Sequence, residues 1–159
     1  LIEAYSKSIL PGKQVYLVIL GQGKKKLELV NLAKKTGVTN EVHFLGFQEN
    51  PYKYMKNAKA FVLSSWHEGH PMVLIEALCC DTPVVAFDCP TGPKEVVFHG
   101  ENGLLIEDQN MEALTMGLNT MLLDEALYKK CKDNALKSTL KFSIEVIGNQ
   151  WLDLMNIKT

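Results

Sequence analysis

The sequence carries almost no surplus of charge: 17 basic against 18 acidic side chains leave a formal net charge of −1 over 159 residues. That argues against a protein held to nucleic acid by a broad basic field, and no nucleic-acid partner is expected. Long apolar runs are missing too. None approaches the roughly 20 residues that span a bilayer. The start shows no charged n-region followed by an apolar h-region, so a cytoplasmic location is expected. Cysteine is sparse, and the four residues Cys79, Cys80, Cys89 and Cys131 lack metal-ligand spacing. Their apolar neighbours predict small buried thiols in a reducing compartment, and no metal is expected. The opening lacks a Met, and Leu1-Ile2-Glu3-Ala4-Tyr5 reads as the middle of an amphipathic helix without an N-cap or a feeding strand. The expectation is a fragment of a longer protein.

What is present suits one ordinary globular domain, with 47% hydrophobic and 22% charged residues. Residues 15–20 (Val-Tyr-Leu-Val-Ile-Leu) form an apolar, β-branched run that predicts a strand buried on both faces. Further strands are predicted over 41–45, 60–63, 82–87 and 103–106. Helices are predicted over 24–35, stopped by Gly37, then over 50–57, 71–80, 111–123, 125–140 and 143–155. Strands alternating with helices over short loops predict an α/β fold: a Rossmann-like, doubly wound parallel sheet flanked by helices. Ligands of such sheets bind beyond the carboxyl ends of the strands. The loops to read are therefore 21–24, 46–50, 64–71 and 88–94.

The loop and helix from Ser64 to Glu76 carry the chemistry. Gly69, after Glu68, lets the backbone approach a ligand closely. Pro71 is expected to begin the helix, leaving the amides of Met72, Val73 and Leu74 free to face an anion such as a diphosphate. Glu76 lies farther in, and its side chain leans back toward the helix start. A carboxylate there accepts two neighbouring hydroxyls, as a ribose offers. The arrangement fits a diphosphate with hydroxyl-rich rings at either end, a nucleotide sugar.

Two glutamates separated by seven residues, before a helix reading Leu-Ile-Glu-Ala, resemble the signature of the family-4 retaining glycosyltransferases of GT-B fold (glycosyl transferases group 1). Gly21-Gln22-Gly23, Val42-His43-Phe44-Leu45-Gly46-Phe47, Asp81-Thr82-Pro83-Val84-Val85 and Gly100-Glu101-Asn102-Gly103-Leu104-Leu105 resemble further family motifs in family order. The resemblance implies the C-terminal donor-binding domain, spanning 1–159, of an enzyme whose N-terminal acceptor domain and first strand lie outside it. It implies that Glu76 binds the ribose and that Glu68 acts at the donor sugar, near the reacting anomeric carbon. Amides of Gly69, His70, Pro71's neighbours Met72 and Val73, and Leu74 would hold the sugar and diphosphate. The base would sit against Phe47, with Gly21, Gly23 and Lys94 as further donor contacts. Cys89-Pro90-Thr91-Gly92-Pro93-Lys94-Glu95 resembles the form seen in transferases that build bacterial surface polysaccharides. A nucleoside diphosphate sugar, most simply a UDP-sugar, is then the substrate, with no cofactor. The acceptor is a glycan or glycolipid, which is compatible with peripheral work at the cytoplasmic face of the membrane.

The chain departs from the family at Asp81, where a Gly is usual. The family's Arg and Lys that neutralise the diphosphate precede the position of Leu1. Other readings stay open. A non-catalytic sugar-nucleotide-binding module or an epimerase half would carry the same motifs. Paired carboxylates also serve glycoside hydrolases at about 5 to 10 Å separation, though nothing else resembles one. Gly21-Gln22-Gly23 lacks the third glycine of a nicotinamide fingerprint. His70 is equally a donor contact or a plain loop residue, while His43, His67 and His99 read as structural. Lys24 and Lys25 are a solvated first turn that could attract phosphate.

Overall fold

The computed structural model describes residues 1–155. Helix α1 (Ile2–Lys7) leads to β1 (Leu17–Leu20), α2 (Lys26–Lys35), β2 (Val42–Gly46) and α3 (Tyr52–Asn57). Next come β3 (Phe61–Leu63), α4 (Met72–Cys79), β4 (Val84–Phe87), α5 (Pro93–Val96) and β5 (Gly103–Ile106). Helices α6 (Met111–Leu123), α7 (Glu125–Ser138) and α8 (Ile144–Leu154) follow. The predicted alternation is present, with some boundaries moved. Helix α2 starts two residues later than expected, and α5, at four residues, is too short to show a helical period.

All strand pairings are parallel. They form two pieces, β1–β2 and β3–β4–β5. The period of two along each strand sorts side chains between two core layers. Val84 and Ala86 of β4, with Phe61 and Leu63 of β3, pack on Leu74 and Leu78 of α4. Val85 and Phe87, with Val62, Leu104 and Ile106, face the opposite layer of Tyr5, Leu114 and Leu118. Helices therefore cover both faces of this piece, the doubly wound arrangement. Strand β1 does not meet the expectation of double burial. Leu17 and Ile19 join the second layer, but Val18 points away from it and is 42% exposed.

The cysteines divide. Cys89 and Cys131 are buried as expected, whereas Cys79 is exposed and Cys80 half-buried. Those two end α4, beyond the residues that its core-facing side buries. Asp81 does take the left-handed conformation, at φ 59°. Two family-like motif residues prove structural. Buried Asn102 donates to the carbonyl of Val96 and the hydroxyl of Ser138, both at 2.9 Å, and accepts from the Phe98 amide at 2.8 Å. A Cβ on Gly103 would lie 2.3 Å from the Val84 carbonyl oxygen, so β4 and β5 approach only because it has none.

Tyr5 joins α1 to the β1–β2 piece: its hydroxyl donates to the Val15 carbonyl at 2.8 Å, with the Glu41 carbonyl at 3.4 Å. Burial first, then the Glu41 carboxylate, pushes the phenol up to about 12. The unfolded phenol titrates near 10, so the unfolded state sheds its proton first as pH rises. The stability held below pH 10 is therefore lost between about pH 10 and 12, by roughly 2–3 kcal/mol. Tyr5→Phe should cost about 1 kcal/mol at pH 8 and remove this share of the alkaline loss. Urea unfolding of both proteins at pH 8 and pH 11 checks it; equal losses in both would show that Tyr5 is not the group responsible.

Candidate functional site

Strand β3 ends at Leu63, and residues 64–71 carry the chain to α4. Pro71 is not the first helical residue but the N-cap, with ψ at 75°. This tight entry uses two of the three amides expected to be free. The Met72 amide donates to the His70 carbonyl at 2.8 Å, and the Leu74 amide to the Pro71 carbonyl at 2.9 Å. Among the described residues, Val73 keeps an amide without an intramolecular partner, as do Gly69 and His70 in the loop before it. The available donors thus sit one step earlier than sequence reasoning put them. A Cβ on Gly69 would meet nothing within 4 Å, so the backbone there borders open space.

A second loop, following β4, braces the first. The Thr91 hydroxyl donates to the Glu68 carbonyl. Gly92 lies at φ 94°, where a Cβ would come within 2.6 Å of the Pro71 ring and 3.0 Å of the Gly69 carbonyl oxygen. Only glycine combines that backbone conformation with that approach. Cys89 lies under the same loop, where burial raises its thiol pKa and the Asp108 and Glu68 carboxylates add to the rise. It is a neutral packing group, not a nucleophile. Oxygen Oδ1 of neighbouring Asp88 is buried without a partner among the described residues. The loop after β5 joins through Gln109, whose Nε2 donates to the Ser65 carbonyl at 3.4 Å. Three loops at the carboxyl edge are therefore tied into one body.

Glu68 and Glu76 are both half-buried, on the loop and on the second turn of α4. Among the described residues neither carboxylate makes an ion pair, and neither accepts an intramolecular hydrogen bond. His70 turns toward α5: its Nδ1 is 4.0 Å from Glu95 Oε2 and its ring meets Phe142 edge-on at 5.6 Å. Lys94 is exposed on α5. Gly21, at φ 110°, donates its amide to the Gly46 carbonyl at 2.8 Å and so fastens the loop after β1 to that after β2. Gly23 accepts from the Lys26 amide at 3.2 Å, a turn into α2. Phe47 stands 68% exposed beside them. The structure thus brings Glu68, Gly69 and Pro71 together with Thr91 and Gly92, and His70 with Glu95, while Lys94 stands exposed on α5. It sets Gly21, Gly23 and Phe47 on the other sheet piece, with no hydrogen bond between the groups among the described residues. Sequence reasoning singled out the loop 88–94 but gave Asp88, Thr91 and Gly92 no role of their own, and it did not name Gln109. The Gly92-Pro93 pair was a readable signal for a braced turn; Gln109 had none.

Residues 1–138 match the family described as Glycosyl transferases group 1, and the chain belongs to that family. A Campylobacter jejuni relative, N-acetylgalactosamine-N,N'-diacetylbacillosaminyl-diphospho-undecaprenol 4-alpha-N-acetylgalactosaminyltransferase, is 42% identical over 135 residues, covering 85% of this chain and 36% of its own. Staphylococcus aureus poly(ribitol-phosphate) alpha-N-acetylglucosaminyltransferase is 29% identical, covering 98% of this chain and 32% of its own. Among solved structures, S. aureus TarM in complex with fondaparinux, alpha-GlcNAc-glycerol and UDP superposes with TM-score 0.89 at 28% identity, over 98% of this chain and 32% of TarM. Anabaena HepE in complex with UDP gives 0.88 at 26%, over 98% and 44%. These neighbours are GT-B glycosyltransferases, so the fold is the expected Rossmann-like one. The chain spans only 36% to 40% of the length of the first curated relatives it matches.

Gly92→Ala should destabilise the chain by about 1–3 kcal/mol, because it forces a side chain into a strained conformation and into Pro71. Gly12→Ala, which enters open space, should stay within about 0.5 kcal/mol. Urea midpoints of the two variants decide it; similar values would mean that the loops are not braced through Gly92.

Proposed function

We propose that this chain is the donor-binding half of a retaining glycosyltransferase that moves a hexosyl group from a UDP-sugar to a hydroxyl of a polysaccharide or glycolipid acceptor. The observation that carries the reading is a pair of carboxylates, Glu68 and Glu76, that have no partner among the described residues and flank amides equally without one, at the carboxyl edge of a parallel sheet. Glu76 takes the ribose hydroxyls. The amides of Gly69, His70 and Val73 take the diphosphate and sugar, and Glu68 takes the sugar hydroxyls beside the anomeric carbon. Phe47, Gly21 and Gly23 border the base, and Lys94 adds positive charge. In the reaction the anomeric C–O bond breaks and its electron pair leaves with the diphosphate. The acceptor oxygen bonds that carbon and gives its proton to the departing phosphate. Fixed amides aimed at the leaving charge lower that barrier. The acceptor site, and the basic pair that the family places upstream, belong to the rest of the intact enzyme. UDP in the TarM and HepE complexes, and the diphospho-undecaprenol and poly(ribitol-phosphate) in the relatives' names, support the reading. No helix among the described residues is long and apolar enough to cross a membrane. Peripheral work at the cytoplasmic face is part of the proposal.

Titration calorimetry with UDP tests the nucleotide assignment. Glu76→Ala should lose about 1.5–3 kcal/mol of binding, the range for hydrogen bonds to a charged group, while keeping its fold. Unchanged affinity in a folded variant sinks the ribose assignment.

Glu68→Gln should leave UDP affinity within about twofold, since UDP carries no sugar, yet lower turnover of the intact enzyme about 10²-fold. If it weakens UDP binding as much as Glu76→Ala does, the division of roles is wrong. The isolated chain should transfer nothing, and robust turnover by it would refute the assignment of the acceptor site elsewhere.

A further inference from the structure

His70 is placed by its ring as well as by its backbone. Its amide stands beside those of Gly69 and Val73, all three without a partner among the described residues. Two contacts define the ring: Nδ1 lies 4.0 Å from Glu95 Oε2 on α5, and Phe142 meets the imidazole edge-on at 5.6 Å. Phe142 is itself held. The Lys141 ammonium sits 4.6 Å from its ring and 4.5 Å from that of Phe98, and donates to the Glu95 carbonyl at 2.7 Å. Helix α5 and the turn Leu140–Phe142 after α7 therefore hold the imidazole between them. Its Nε2 makes no hydrogen bond among the described residues.

This placement decides which protonation state can serve an anion. A neutral imidazole has one N–H and one lone pair. With Nδ1 facing a carboxylate the proton belongs on Nδ1, and Nε2 keeps a lone pair that repels a phosphate oxygen. Only the imidazolium donates from both nitrogens. The charged groups on the elements that meet here are Glu68 on the same loop, Glu76 on α4, Lys94 and Glu95 on α5, and Lys141, with His67 as a further titratable group. Of the carboxylates, Glu95 alone comes within 4.0 Å of the ring among the described residues. His70 and Glu95 are both exposed, so water screens their attraction while the site is open. An anion bound at Nε2 displaces that water and gives the ring a second partner.

We propose that the His70 side chain is a further binding residue for the donor, gripping a diphosphate oxygen through Nε2 in the imidazolium form, with Glu95 as the positioning residue on Nδ1. The inference rests on the proposed donor site and adds a proton to it. Affinity is full below the range where histidine titrates, roughly pH 6.5, and falls as pH rises through that range. The ring supplies a fixed cationic donor in a chain whose other cationic side chains are flexible lysines.

Titration calorimetry with UDP-glucose tests it, because a diphosphate esterified at both ends keeps its charge between pH 5.5 and pH 8. The wild type should bind about tenfold more tightly at pH 5.5 than at pH 8. It should also take up protons on binding at pH 6.5, read from the heats in two buffers of different ionisation enthalpy. His70→Gln should bring the two affinities within about twofold of each other. Glu95→Gln should reduce the wild-type ratio to about threefold. Equal wild-type affinities at the two pH values, or no proton uptake, overturn the role of His70 and leave the donor site standing. A His70→Gln protein that keeps the tenfold ratio assigns the proton to another group and overturns it too. Should His70→Gln not fold, the wild-type uptake and the Glu95→Gln ratio decide, and an undiminished ratio overturns the pairing. UDP-glucose bound at neither pH refutes the donor-site reading, and this inference falls with it.

Discussion

Both core layers meet on β4, and the rest of the structure depends on its double burial. All four of its residues are buried, alternating between the layer of α4 and α5 and the layer of α1 and α6. A strand so placed can carry no polar side chain along its length, so polar residues collect where it ends. Asp88 and the braced turn through Thr91 and Gly92 begin there. Apolar pressure from two sides thus aims the polar loops at one edge. Parallel pairing puts the ends of β3 and β5 at that edge as well.

Electrostatics at the edge follow from an omission. The chain contains no arginine, so all its 17 cationic side chains are lysines. Lysine is a strongly hydrated point charge, without the planar fork that grips phosphate in two places. In the proposed site, directional contacts to an anion fall mainly to backbone amides, whose placement depends on the Pro71 turn and the Gly92 brace. Under the proposed reading, loop geometry, more than charge count, determines binding.

Much of this was legible in the sequence. The β-branched runs, the glycine stops and the proline before α4 announced an alternating parallel fold, and β5 and α6 lie at the predicted residues. Glu68 and Glu76 stood out as candidates because their spacing sits inside a longer series of motifs. What could not be read belongs to tertiary structure. The Met72 and Leu74 amides are consumed by a turn whose shape depends on Pro71 lying against Gly92. The exposure of Val18 arises from what lies beside β1, and a strand's own composition cannot report its neighbours. Cys79 and Cys80 show the same limit: apolar flanks said buried, while the end of α4 leaves one thiol in water.

The Asn102 contacts have a chemical consequence. In a flexible peptide an Asn-Gly pair deamidates readily, because the glycine amide nitrogen attacks the side-chain carbonyl carbon and expels ammonia through a cyclic imide. Here Asn102 and Gly103 form such a pair, but both ends of the side-chain amide are bonded, to Phe98 and to Val96 and Ser138. Gly103 is fixed in β5 against Val84. Ring closure would need these bonds broken and the strand rotated. The folded chain therefore shields its most hydrolysable amide, and spontaneous chemical ageing at this position records time spent unfolded.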